Sequence, residues 1–154
     1  MTDLACVTIN EARPQDAPAI AIIHLTSRRR AMPYLRRPHT DDEARGYFAR
    51  RVGNPPRVWW VLRHRGQVVA YMMLDGENLD HLYVSPFCQG QGFGSALLDR
   101  AKALSPGRLV LWTFQRNERA RSFYEARGFR SIGRSDGDNE EGEPDMQYEW
   151  RKVP

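Results

Sequence analysis

A glycine run set between two unlike stretches of chain constrains this sequence more than any other feature. Leu79 to Val84 is apolar and β-prone, and Ala96, Leu97, Ala101 and Leu104 recur at helical spacing. Between them lies Gln89-Gly90-Gln91-Gly92-Phe93-Gly94-Ser95. The continuous apolar run Leu109-Val110-Leu111-Trp112-Thr113 follows and reads as a buried strand, which makes the region a strand–helix–strand crossover. Glycines in such a loop let backbone N–H groups approach a ligand closely, and the helix N-terminus adds about half a positive charge. Together they hold a phosphate or pyrophosphate without any basic side chain.

The remaining elements fall on either side of this centre. Cys6 to Asn10 reads as an opening strand. Gln15 to Ser27 reads as an amphipathic helix, with Ile20, Ile23, His24 and Ser27 on one face and Pro14 near its first turn. Thr40-Asp41-Asp42-Glu43 has the form of a capping box and starts a second helix that runs to about Val52. Val58 to Arg63 and Val68 to Leu74 form a hairpin around Gly66. Asn117 is the expected N-cap of a last helix carrying Ala120, Phe123 and Tyr124, closed by Gly128. Phe129 to Gly133 and Met146 to Trp150 are the final strands, joined by an acidic loop. The order β-α-α-β-β-β-α-β-α-β-β is mixed α/β, antiparallel in its front half.

A chain of 154 residues with neither repeats nor linkers is expected to form a single domain spanning residues 1–154. No apolar run approaches the ~18 residues that span a bilayer, and Ala19 to Ile23 is too short for a signal-peptide core. The expectation is a cytoplasmic protein with no membrane partner. Cys6 and Cys88 show no CxxC spacing and no His cluster beside them, so they read as reduced, partly buried thiols and no metal is expected. The formal net charge is +4, and only Lys102 and Lys152 among the 23 basic residues are lysines. Arginines crowd the stretch from Arg28 to Arg51 and acids crowd Asp136 to Glu149, which gives the surface a positive and a negative face. No base-stacking aromatic is interleaved with those arginines, so nucleic acid is not the expected partner.

Two phosphate-binding patterns compete for the glycine loop. A dinucleotide fingerprint needs G-x-G-x-x-G directly after a strand and an acid about 20 residues on. Here the third position is Ser95, Ser85 to Cys88 intrude, and the next strand ends in Trp112-Thr113-Phe114 with no acid. The other pattern, Q-x-x-G-x-G, is met by Gln89, Gly92 and Gly94 after Leu82-Tyr83-Val84-Ser85-Pro86. It closely resembles the acyl-CoA loop of the GNAT acetyltransferase superfamily. The stretch from Asn117 to Phe129 is similar to that family's second signature, N-x-x-A-x-x-F-Y-x-x-x-G-F. The resemblance covers roughly the last half of the chain.

That resemblance implies a mostly antiparallel, seven-stranded sheet with about four flanking helices and acetyl-CoA between splayed fourth and fifth strands. It implies pantetheine pairing along Leu82, Tyr83 and Val84, and a diphosphate held by the amides of Gln89, Gly90, Gln91, Gly92, Phe93, Gly94 and Ser95. Asn117 would touch the pantetheine arm and Tyr124 would stand near the sulfur. The chemistry suits a tyrosine: a departing thiolate has a pKa near 8–9, and a phenol of pKa about 10 can protonate it. Homodimers are common in the family, and no residue here argues for or against one.

The base that deprotonates the acceptor is less defined. Alternation places Asp80, Leu82 and Val84 on one face of the fourth strand and His81 and Tyr83 on the other. Asp80 is the expected base, with His81, Glu77 or a water chain as alternatives. Asn78 cannot act as a base, which keeps open a non-catalytic acyl-CoA-binding or sensing module. Met32-Pro33-Tyr34-Leu35 resembles the substrate wall of such enzymes, and the acidic loop can attract a cationic amine. His24, His39 and His64 show no convergent spacing. The Trp59-Trp60 pair reads as core and cross-strand packing. The expected reaction is acetyl transfer to a primary amine of a small molecule or peptide in a ternary complex.

Overall fold

The computed structural model describes residues 6–154. Seven strands form one sheet: β1 (Val7–Glu11), β2 (Val58–His64), β3 (Gln67–Asp75), β4 (Asn78–Val84), β5 (Arg108–Phe114), β6 (Arg130–Ser135) and β7 (Asp145–Arg151). Their spatial order is β1-β2-β3-β4-β5-β7-β6, and every neighbouring pair is antiparallel except β4 and β5. Four helices cover it: α1 (Ala17–Ala31), α2 (Asp41–Arg51), α3 (Phe93–Leu104) and α4 (Glu118–Glu125). Among the described residues no helix is long and apolar enough to cross a membrane.

The alternation of side chains along the central strands builds a separate core on each face of the sheet. On one face Ile20, Phe48, Trp59, Val61, Tyr71 and Met73 pack under α1 and α2. On the other Leu62, Met72, Leu97, Leu98, Leu109 and Tyr148 pack under α3 and α4. Trp59 and Trp60 divide between the two cores, the first fully buried and the second partly so. Cys6 is exposed, contrary to the expectation of a partly buried thiol, and Cys88 is half-buried.

Helix α1 runs four residues beyond the expected end at Ser27, through Arg28, Arg29 and Arg30 to Ala31. Arginine is a good helix former, and cations in a last turn offset the exposed carbonyls there. The α2 capping box forms as read: Thr40 Oγ1 accepts from Glu43 N at 3.1 Å, and Glu43 Oε1 accepts from Thr40 N at 3.2 Å.

One feature of β4 defeats simple alternation. The register against β3 slips between Met73 and Leu74, so that Leu74 faces Leu79 while Met73 faces His81. The extra residue is Asp80. Leu79 therefore joins the same core as Leu82 and Val84, although it differs from them in parity. The strict two-face assignment expected for this strand holds from His81 onward only.

Candidate active site

β4 and β5 run side by side for a single residue pair, Asn78 with Val110, anchored by Val110 N donating to Glu77 O at 2.9 Å. Beyond it the strands part, and β4 has no ladder partner on its β5 side through Leu82, Tyr83 and Val84. A cleft of about 180 Å³ fills the gap, lined among others by Asp80, Leu82, Asn117 and Tyr124. Asp80, Leu82, Tyr83, Asn117 and Tyr124, five of the residues that the sequence singles out, line this one opening in the sheet, whereas Val84 and the loop from Gln89 to Ser95 do not.

At one end of β4, Ser85 to Gly92 carries the chain into α3. Gly90 and Gly92 hold φ of +79° and +86°, and a Cβ at either would meet nothing within 4 Å. The glycines thus serve backbone conformation in an open loop. Gly92 is the α3 N-cap and supplies no side-chain acceptor, so the first-turn amides of the helix remain uncapped. The Phe93 side chain is buried in the α3 core, which leaves only its backbone for a ligand. Gln89 Nε2 donates to Val84 O at 3.4 Å and ties the loop back to the strand.

Arg127 was not signalled by the sequence, because it occupies an unspecified position of the second signature. Its guanidinium donates to Ser95 Oγ at 2.7 and 3.0 Å and lies over the Phe123 ring at 3.9 Å. A cation beside a helix N-terminus opposes the helix dipole, and an anion bound there would relieve the conflict. The loop, the uncapped amides and Arg127 bring donors and positive charge together where an anion could bind.

Tyr124 stands on the inner face of α4, buried, with Phe123 and Phe129 ring-to-edge at 5.1 and 5.4 Å. Burial, and then the nearby Tyr83, push its phenol well above the ordinary value, so it stays protonated. Asn117 caps α4 by accepting from Ala120 N at 3.2 Å, while its Nδ2 reaches Met32 Sδ at 3.4 Å across the cleft. Asp80 is exposed at the cleft mouth. Loss of water around its carboxyl raises its pKa above the usual carboxylate value, Arg57 opposes this and Asp75 adds to it. Asp145 also lines the cleft, but Ser135 and Asn139 already satisfy its oxygens at 2.5 and 3.1 Å.

A second and wider groove of about 770 Å³ lies between the end of α1, the 32–40 connection and α2. Met32, Pro33 and Leu35 line it, whereas Tyr34 turns away and lies under the Arg116 guanidinium at 3.8 Å. Arg28 and Met32 line both spaces and stand where the two meet. Arg28 donates to the Tyr83 hydroxyl at 3.0 Å and to Glu141 at 3.1 Å.

Beneath the groove the fold brings together histidines that sequence spacing separates. His24 Nδ1 and His81 Nδ1 both contact the Tyr71 hydroxyl, at 2.8 and 2.9 Å. Burial pushes His24 down to about 2 and His81 down to about 3, with neighbouring positive groups adding to each. Both imidazoles are therefore neutral at ordinary pH. One Tyr71 proton serves only one of them, so the other must donate to the phenol oxygen.

Comparison with known proteins places this architecture. The family model described as "Acetyltransferase (GNAT) family" matches residues 21–129. The peptidyl-lysine N-acetyltransferase YjaB of Salmonella typhimurium is 35% identical over 82 residues, 53% of this chain and 56% of that protein. The chain thus spans little more than half the length of that relative. A probable N-acetyltransferase of Mycobacterium tuberculosis is 27% identical over 153 residues, with 84% of this chain and 83% of the relative covered. The solution structure of apo-form YjaB from Escherichia coli superposes with a TM-score of 0.79 at 25% identity, covering 96% of this chain and 99% of that one.

Proposed function

This chain belongs to the GNAT acetyltransferase family, and on that premise we propose that it moves the acetyl group of acetyl-CoA to a primary amine by direct attack in a ternary complex. The observation that carries the reading is the parting of β4 from β5 after Asn78, with the Tyr124 phenol lining the gap and the uncapped start of α3 following β4.

Acetyl-CoA supplies an activated acyl carbon on a thiol leaving group. The amides of Gln89 to Ser95, with Arg127, hold its diphosphate, and the free edge of Leu82, Tyr83 and Val84 pairs with the pantetheine arm. Asn117 stands beside that arm. As the nitrogen–carbon bond forms and the carbon–sulfur bond breaks, Tyr124 gives its proton to the departing sulfur, and the second proton that the new amide nitrogen sheds returns through water to restore the phenol. Burial, which disfavours the phenolate, disfavours a naked thiolate in the same cleft equally. Asp80, at the mouth, takes the proton that the attacking ammonium must lose, directly or through water. The acceptor enters from the wide groove past Arg28 and Met32.

The test is thiol release from acetyl-CoA over a panel of lysine peptides and small amines, alongside the melting temperature with and without acetyl-CoA. Acetyl-CoA is expected to raise the melting temperature by linkage, and thiol release is expected only with an added amine. A thermal shift without thiol release for any amine would mark a non-catalytic acyl-CoA-binding module. No shift at all would overturn the cofactor assignment.

A further inference from the structure

We propose that the acceptor carries negative charge beside its amine, as a lysine peptide flanked by Asp or Glu. The inference rests on the acetyl-transfer reading and adds the chemical class of the acceptor. Its basis is the balance of satisfied and unsatisfied charge on the walls of the wide groove.

Every carboxylate on those walls is already engaged. Glu141 accepts from Arg28 at 3.1 Å and Glu140 meets His39 at 3.3 Å. Glu43 is held in the α2 capping box, and Asp42 pairs with Arg45 at 2.8 Å. Farther along the acidic loop, Glu143 is paired with Arg116. The part of the acidic loop that reaches the groove, which in sequence reads as a lure for cations, is thus occupied by the protein's own groups: Glu141 by the Arg28 guanidinium and Glu140 by His39, a cation only when protonated.

The arginines are less completely matched. Arg29 and Arg37 share Asp41. Arg36, Arg50 and Arg51 line the groove, are exposed, and have no carboxylate partner among the described residues. Arg51 stacks on the Tyr47 ring at 4.7 Å, and the Arg50 guanidinium lies over Gly46, 3.1 Å from where a Cβ would stand. His24 and His81 are held neutral by burial and add no charge of either sign. The uncompensated charge facing the groove is therefore positive, and it sits on guanidinium groups whose planar fork matches a carboxylate. At about 770 Å³ the groove has room for several residues of chain, far more than a small amine fills. A polyamine or a basic peptide would set its charges against these guanidiniums.

The experiment measures fluorescence anisotropy of rhodamine-labelled peptides, each with one central lysine flanked by Glu, Gln or Arg, on protein saturated with coenzyme A. The Glu-flanked peptide is expected to bind roughly tenfold tighter than the Gln-flanked one, about 1.4 kcal/mol shared among three exposed guanidiniums. That ratio is expected to shrink between about 0.05 and about 0.5 M salt as the Debye length falls from about 14 to about 4 Å. Arg36→Glu combined with Arg50→Glu is expected to reverse the order toward the Arg-flanked peptide, with the melting temperature lowered only slightly, because both side chains are exposed and the one cost is a carboxylate in the last turn of α2. Equal binding of the three peptides, preference for Arg flanks in the parent protein, or a preference untouched by the double substitution overturns the proposal. Displacement of the Glu-flanked peptide by free glutamate at equal concentration overturns its peptide half. Thiol release is read on parallel samples of the same peptides with acetyl-CoA in place of coenzyme A. Charge-selective binding without thiol release counts against acetyl transfer and leaves the acceptor class standing, whereas thiol release indifferent to flanking charge does the reverse.

Discussion

Tyr124 and Asp80 share one small cleft yet are set up by their surroundings for opposite duties. The phenol is buried and held protonated, and the carboxyl lies at the mouth with its pKa raised only from a low starting point. Tyr124→Phe removes one oxygen and leaves the α4 core intact, so turnover is expected to fall roughly a hundredfold while acetyl-CoA affinity measured by calorimetry barely moves. Asp80→Asn is expected to lower turnover and to flatten the acidic limb of the pH–rate profile, because the base works only above its raised pKa. If the limb survives in the Asn variant, proton removal runs through another group. Tyr124 was legible in the sequence because it occupies a fixed place in a spaced signature. Arg127 was not, although it lies three residues away, since its value comes from reaching Ser95 on a different helix.

Elements show the same division. The start of α2 could be read from four residues, because a capping box is a local exchange of hydrogen bonds. The α3 entry could be read as well, since only glycine is comfortable at the φ of +86° found at Gly92. Gly92→Ala meets no steric obstacle, so its cost is conformational: about 1 kcal/mol of stability. It is also expected to weaken acetyl-CoA binding in calorimetry by re-aiming the first-turn amides, without changing peptide binding in the wide groove. The β4 bulge at Asp80 was invisible, because a bulge is defined by the partner strand. For the same reason alternation along β4 does not extend back to Leu79, whereas His81 and Tyr83 keep the face expected of them.

Across the whole molecule, the buried His24–Tyr71–His81 contact joins α1 to β3 and β4 and ties stability to pH. In the unfolded chain these imidazoles take up protons below about 6.5, whereas in the fold they resist until about 2 and about 3. The unfolded state then binds more protons throughout that window, so stability is lost as pH falls, by up to about 1.4 kcal/mol per pH unit for each histidine. Melting curves between about pH 7 and about pH 5, above the range where carboxylates titrate, are expected to show this fall. His24→Gln is expected to reduce its slope by about half. The sequence by itself determined the order of elements, the glycine loop, the two signatures and the family resemblance, because each is written in spacing along one strand or helix. Only the tertiary structure decided which charges remain unpaired, which histidines meet, and where β4 slips. Those properties depend on groups far apart in the chain, and their electrostatics are set by how much water the packed layers exclude.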